Sequence, residues 1–440
     1  MSEKKIPVIS LFSGAMGLDL GLEAAGFEVV VAVECDAQAV ATIRKNKPDL
    51  PVFDKRIESV TSTEILKAAG LKKGGNFVVC GGPSCQSFST AGHRRSLADP
   101  RGNLFLHFVR IVRETEPKFF VMENVRGMLS AAVKHRPLSQ RGPGHLPLEP
   151  EEELGSAFRV IVNELKELDY FITFDLLNSA DYGVPQVRHR LIFLGSREGK
   201  AVSLPAPTHH KSGEMGLPQW TTVRQTIGRF REENPEGYSL RETEAKYLAH
   251  VPEGGNWKNL PIDMQREALG GAYVSWGGRS GFYRRLAWDK PSPALPTQPY
   301  FRATMLCHPD ALRPLSIKEY ARIQQFPDTW KFEGSIASRY RQIGNAVPVG
   351  LGTAIGNAIK FAWKKHAGKR PLGVVETSNS ELIRKMMNRP VTILNPPRMR
   401  KDADNAETEL WRDVIRKRRD TAHDYASTTD TKKRNKEAVS

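Results

Sequence analysis

The chain has 440 residues, 40% of them hydrophobic, enough for two or three domains around a large buried core. Its 8% aromatic and 26% charged content excludes wholesale disorder, and the absence of any run of 18 apolar residues excludes a membrane-spanning helix. With 65 Lys+Arg against 49 Asp+Glu the net charge is +16, of which 19 against 11 (+8) falls in residues 364–440, so both body and tail suit a polyanionic partner.

Lys5–Ser10 alternates with apolar residues and reads as a strand, followed by the turn Ser13-Gly14-Ala15-Met16-Gly17. Leu18, Leu20, Leu22 and Ala25 predict a helix ending at Gly26, and Phe27–Val33 a second strand closed by Glu34-Cys35-Asp36. Strand, helix and strand within thirty residues make a βαβ unit. The alternation continues with strands at Phe77–Cys80, Lys118–Met122, Tyr170–Leu177 and Arg190–Leu194, and helices at Leu104–Arg113 and Ala157–Leu168. The expected fold is a doubly wound, mostly parallel α/β domain over residues 1–196. Pro137–Glu153 reads as a surface insertion. From 197 onward Pro and Gly cluster without a helical period, which predicts a smaller irregular domain of short strands and loops. Helices return at Ser316–Gln325 and Gly350–Trp363, and the basic tail holds one amphipathic candidate, Glu407–Arg419.

Chemistry-bearing residues gather at strand ends. Gly14 and Gly17 on the first βα turn let a backbone approach a ligand, and Glu34, ending the second strand, can accept hydrogen bonds from a ribose diol. The spacing is not the dinucleotide G-x-G-x-x-G pattern, so a nucleoside-containing cofactor and a purely structural turn both fit. Cys85 lies on the loop Gly81–Ser89 directly after a buried strand, where a thiolate can meet substrate and backbone N–H groups; an inert small hydrophobe is the plainer reading. Glu123 ends the next strand, and Arg188 and Arg190 alternate ahead of another, so a structural ion pair is the plain reading there. The four cysteines (Cys35, Cys80, Cys85, Cys307) lack metal-ligand spacing and His209-His210 reads as exposed loop; no metal is expected. The N-terminus shows no signal-peptide apolar region, and a reduced cytoplasmic protein is expected.

Taken together these blocks resemble the DNA (cytosine-5) methyltransferases, from Val8 to about Lys360. The opening motif stands as Leu11–Asp19, the nucleophile loop as Gly82–Ser89, the glutamate motif as Glu123–Val125, and the arginine motif as Gln186–Arg190. Arg101–Phe105 matches a further block, and Arg341–Pro348 the closing one. The resemblance implies a class I S-adenosylmethionine-dependent methyltransferase fold with a second, smaller domain for target recognition. The catalytic domain is then discontinuous (1–196 plus 335–363), with target recognition in 197–334 and a basic extension in 364–440. It implies Cys85 as nucleophile, Glu123 and Arg190 at the cytosine, and Arg188 supporting them. For S-adenosylmethionine it implies Phe12, Ser13, Gly14, Gly17, Leu18, Glu34, Cys35, Ile57, Leu104, Asn345 and Ala346. The loop Ser87–Leu97, with Arg94 and Arg95, is expected to close over flipped DNA. Tyr273–Arg279 and Thr221–Val223 are candidates for base readout.

Two positions depart from the family. Ser84 replaces the proline before the nucleophile, and Arg56 replaces the aspartate expected before Ile57 at the adenine, leaving Asp54 or a backbone carbonyl as substitutes. Double-stranded DNA is the expected partner, with a monomeric state and a separately encoded restriction endonuclease as further expectations. A transfer-RNA methyltransferase and a catalytically weakened DNA-binding relative are the rival readings.

Overall fold

The computed structural model describes residues 5–83, 104–134, 136–137, 140–141, 144–273, 281–365 and 373–376. Ser84, Cys85, the closing loop with Arg94 and Arg95, Arg101–Asn103, 274–279 and Glu407–Arg419 therefore lie outside the described residues.

The first half alternates strand and helix: β1 (Ile6–Leu11), α1 (Gly17–Ala24), β2 (Phe27–Glu34), α2 (Ala37–Asn46), β3 (Val52–Asp54), α3 (Ser62–Ala69) and β4 (Val78–Gly81). Then come α4 (Leu104–Thr115), β5 (Phe119–Val125), α5 (Ser156–Lys166), β6 (Phe171–Asn178), β7 (Gln186–Val187) and β8 (His189–Ser196). The sequence reading passed over α2, β3 and α3. Their start signals are local: Asp36 caps α2 through its side chain, and Thr61 with Glu64 forms a capping box on α3.

Eight strands form one sheet in the order β12-β6-β8-β5-β4-β1-β2-β3, where β12 is Gly373–Glu376. All neighbours pair in parallel except β8, which runs against both β5 and β6. Successive residues of the central strands point to opposite faces, so both faces carry core and the strands read as continuous apolar runs. Ile9, Val31, Val79 and Phe120 face one cluster with Phe108 of α4 and Ile161 of α5. Val8, Val29, Val78 and Val121 face the other with Leu22 of α1 and Leu351 and Ile355 of α11 (Val349–Lys365).

Helix α11 returns from far along the chain to pack on α1. The approach is backbone on backbone: a Cβ on Gly21 would lie 2.4 Å from the Val349 carbonyl oxygen and 2.6 Å from Gly352 Cα. Only glycines permit that spacing.

The region after 197 is irregular, as expected, and among the described residues it adds short helices to the short strands and loops. Helices α6 (Val223–Ile227), α7 (Glu242–Leu248) and α8 (Ile262–Leu269) stand beside the two-residue strands β9 (Arg284–Arg285), β10 (Ser292–Pro293) and β11 (Leu306–Cys307). Helices of five to eight residues show too few turns to reveal a period among so many Pro and Gly residues. Trp257, Tyr283 and Met305 fill a separate core there. Helices α9 (Ile317–Ile323) and α10 (Ile336–Asn345) share a third cluster with Val223, Leu286 and Leu295, and α10 also meets α2, where Thr42 donates to Gln342 Oε1 (2.7 Å). β12 also corrects an expectation, because part of the tail pairs with β6 in register Gly373↔Phe171 through Glu376↔Phe174.

Candidate active site

Strand order places the site. β1 continues on one side to β2 and β3, and the chain then crosses back to β4 on the other side. The carboxyl ends of β1 and β4 thus flank the point where the winding reverses, where ligands bind in open α/β sheets. The turn Phe12–Met16 leaves β1 there, and Gly82-Pro83 leaves β4 beside it.

The β1 turn is held in an unusual conformation. Phe12, Gly14 and Met16 all have positive φ (56°, 52° and 65°), the left-handed region that costs about 1–3 kcal/mol for a residue with a side chain. The turn's N–H groups bond within the protein, Ser13 to the Val33 carbonyl (3.4 Å) and Met16 to the Ser13 carbonyl (2.8 Å), which fixes the turn as a rigid cradle. Among the described residues nothing lies within 4 Å of a Cβ built on Gly14, so they leave the space over the turn open. Gly17 differs. A Cβ there would sit 2.3 Å from the Val347 carbonyl oxygen, so packing against the closing motif accounts for this glycine.

Glu34 ends β2 and faces this cradle. Its Oε2 accepts the Gly14 N–H (2.7 Å), and its Oε1 accepts the N–H groups of Cys35 and Asp36 (2.8 Å each). A carboxylate has about four acceptor positions, so Oε2 retains one for a hydroxyl. Phe12, Ile57 and Leu104 pack against one hydrophobic cluster beside it. Ser13 is buried on Ser10 (2.8 Å), Leu18 is buried in the α1–α11 cluster, Ala346 is buried, and Asn345 and Cys35 are exposed.

Of the residues at the departed adenine contact, Asp54 faces Arg44 at 3.6 Å with both side chains about half exposed, and Arg56 is exposed and pairs with Glu58 at 2.8 Å.

Glu123 is buried near the carboxyl end of β5, with Arg190 Nε 2.6 Å from its Oε1. The N–H direction falls outside hydrogen-bond geometry, so this is a tight ion pair. Register explains the meeting: Glu123 lies opposite Ile192 and Arg190 opposite Val125, so the two are diagonal neighbours on one face. Burial pushes the Glu123 carboxyl above its ordinary range, and Arg190 and Arg188 offset part of that rise. Its Oε2 lies over Gly82, where a Cβ would be only 2.7 Å away. Asn124 donates from Nδ2 to the Pro83 carbonyl (3.2 Å), tying β5 to the loop two residues before Cys85.

Arg188 does not pair with Glu123. Its guanidinium donates to the carbonyls of Leu295 (3.1 Å) and Gly344 (2.6 Å). The candidates for base readout also change role. The Thr222 side chain caps α6, Val223 is fully buried, and Tyr273 is buried against Trp257. His210 Nδ1 accepts the Glu214 N–H (3.2 Å) within its own turn.

Two contributors escaped the sequence reading. Asp19 is buried in the first turn of α1 and accepts from Cys80 Sγ (3.5 Å), with burial raising its pKa to about 6. Its signal was an acid on the apolar side of an otherwise apolar helix. Gln324 is fully buried and bonds across three segments. Nothing local marks it.

The chain is similar to known proteins in sequence and in fold. A type II methyltransferase of Psychrobacter sp. is 36% identical over 367 residues, covering 80% of this chain and 78% of that protein. Type II methyltransferases of Escherichia coli and Staphylococcus aureus are each 35% identical, covering 82% and 81% of this chain and 80% and 76% of theirs. In fold the chain is similar to a crystal structure described as a "DNA modification methyltransferase encoded within prophage" of E. coli, with a TM-score of 0.53 and 23% identity over 82% of this chain and all of that one. The model of the C-5 cytosine-specific DNA methylases matches residues 6–361, spanning both the β1 turn and the Glu123–Arg190 pair, and the chain belongs to that family as a DNA (cytosine-5)-methyltransferase.

Proposed function

We propose that the chain methylates cytosine within a specific duplex DNA sequence, through a covalent bond from Cys85 to C6, as the modification arm of a restriction–modification system. The observation that carries the mechanism is the buried Glu123–Arg190 pair closing on Gly82, three residues before Cys85.

S-adenosylmethionine fits the β1 turn: the space over Gly14 is open, and Glu34 keeps an acceptor free for a ribose hydroxyl. When bound it supplies an electrophilic methyl group. We assign Phe12, Ile57 and Leu104 to the apolar walls of that site. Ser13 and Leu18 hold the turn, and Asn345 and Ala346 border it.

The chain's own residues do the rest. The target carbon is inaccessible in a duplex, so the base must leave the stack. The Cys85 thiolate adds to C6, which pushes electron density through the ring to C5 and N3. A carboxyl whose pKa is raised by burial can hold a proton, and Glu123 delivers it toward N3. Arg190, fixed by Glu123, presents its remaining donors to O2. After methyl transfer the C5 proton leaves to base and Cys85 is expelled.

We propose residues 1–196 with 335–363 as the catalytic domain, supported by α11 packed on α1, and 197–334 as the target-reading domain, supported by its own Trp257 core. The basic extension 364–440 would add phosphate contacts. We further propose that the chain acts as a cytoplasmic monomer beside a separately encoded endonuclease.

The test is trapping. DNA carrying 5-fluorocytosine has no C5 proton to lose, so a stable adduct should form on Cys85, and Cys85→Ser should abolish methyl transfer while cofactor binding persists. An adduct on Cys35, Cys80 or Cys307, or methylation of transfer RNA in place of DNA, overturns the reading.

A further inference from the structure

The arginine motif ends in two arginines that behave differently. Arg190 meets Glu123, whereas Arg188, 3% exposed, has no carboxylate in hydrogen-bond reach among the described residues. A buried guanidinium without a counter-ion is costly, so its partners are informative. Nη1 donates to the Leu295 carbonyl (3.1 Å) and to Gln186 Oε1 (3.4 Å), and Nη2 to the Gly344 carbonyl (2.6 Å).

Two fully buried glutamines complete the cluster. Gln186 Oε1 also accepts the Leu295 N–H (3.0 Å), and its Nε2 donates to Gln324 Oε1 (3.0 Å). Gln324 Nε2 donates to the carbonyls of Ile343 (2.6 Å) and Ala346 (3.2 Å). Four segments distant in sequence are thereby locked: the arginine motif, the strand β10 region paired to β7, the end of α9 that carries Gln324, and the end of α10 with the closing motif. Leu295 belongs to the core shared with α6 and α9, so this lock joins the proposed target-reading domain to the strand that presents Arg190.

We propose that Arg188, with Gln186 and Gln324, is a positioning cluster that holds the target-reading domain in register with the Glu123–Arg190 pair, so that sequence readout and cytosine activation share one rigid frame. This rests on the assignment of Glu123 and Arg190 to the cytosine. Arg188 touches main-chain carbonyls and not the base. A lysine cannot replace it, because one point donor cannot span carbonyls on two segments as a planar fork does.

The experiment measures methylation by Arg188→Lys, Gln324→Ala and the double variant, alongside the melting temperature and mapped methylation of plasmid DNA. Each single variant should fold, keep its affinity for S-adenosylhomocysteine, and lose about 10²-fold in single-turnover rate, as expected for misplacement by about 1 Å. Methylation should also spread to cytosines outside the wild-type sequence. The double variant should be no slower than the slower single variant, because both break one cluster. Additive losses, or an Arg188→Lys rate loss with Gln324→Ala at the wild-type rate, would show that Arg188 acts on the base itself and overturn the proposal. If Arg188→Lys does not fold, Gln324→Ala decides alone: a wild-type rate and pattern overturn the proposal. The assignment of Glu123 and Arg190 is judged separately, by trapping wild-type enzyme on 5-fluorocytosine DNA.

Discussion

Gly82→Ala probes the site without touching a titratable group. Its Cβ would stand 2.7 Å from Glu123 Oε2, against 3.4 Å for ordinary van der Waals contact, so about 0.7 Å must be found. Glu123 cannot simply swing aside: its other oxygen is 2.6 Å from Arg190 Nε, and the side chain is buried. Overpacking of this size costs about 1–3 kcal/mol in stability, which a chain with three large clusters should survive folded. A shift of nearly 1 Å in a proton-delivering carboxyl should lower the rate by about 10–10²-fold. The assay is single-turnover transfer of labelled methyl with enzyme in excess, beside calorimetric binding of S-adenosylhomocysteine. Binding should hold, because Gly14 lies on the turn after β1 and Glu34 ends β2, whereas the new methyl group meets Glu123 of β5. A folded variant with wild-type rate would refute the view that the Glu123 position controls catalysis.

Glu123→Gln should lower the rate by about 10²–10⁴-fold with folding intact, since the amide cannot deliver the same proton; loss of folding at an unchanged rate per folded molecule would make Glu123 a structural partner of Arg190. Asp19 makes stability depend on pH. Its folded pKa of about 6 lies above the ordinary 3.8, so the folded state binds the extra proton and stability falls as pH rises from about 4 to 6, by about 3 kcal/mol in all. Urea titrations across that range should show this slope, and Asp19→Asn should flatten it; an unchanged slope in the variant assigns the effect elsewhere. Two truncations separate the parts of the tail. Ending the chain after Glu376 keeps β12 and should weaken binding to any DNA, with a salt slope shallower by about 0.9 per lost phosphate contact. Ending it after Gly368 also strips the edge of β6, and aggregation or a lower melting temperature should follow; equal stability of the two would deny β12 a structural role.

The catalytic half was legible in the sequence because its signals are local. Buried parallel strands read as apolar runs, the β1 turn carries its glycines, and Glu34 and Glu123 stand at strand ends by counting alone. The order of those strands, the reversal of β8 and the return of α11 onto Gly21 depend on contacts between residues tens to hundreds of positions apart, which no window contains. The same limit explains the arginines. Period two placed Arg188 and Arg190 on one side, yet tertiary packing gave Glu123 to one and the carbonyls of Leu295 and Gly344 to the other. Gly17, read as a ligand turn, is required by the Val347 carbonyl, and Thr222 serves a helix cap. Residue type and spacing determined which chemistry the chain carries; only the fold decided which side chains meet one another at the β-strand ends and which bond to main-chain carbonyls, because burial and partner choice are settled by long-range packing.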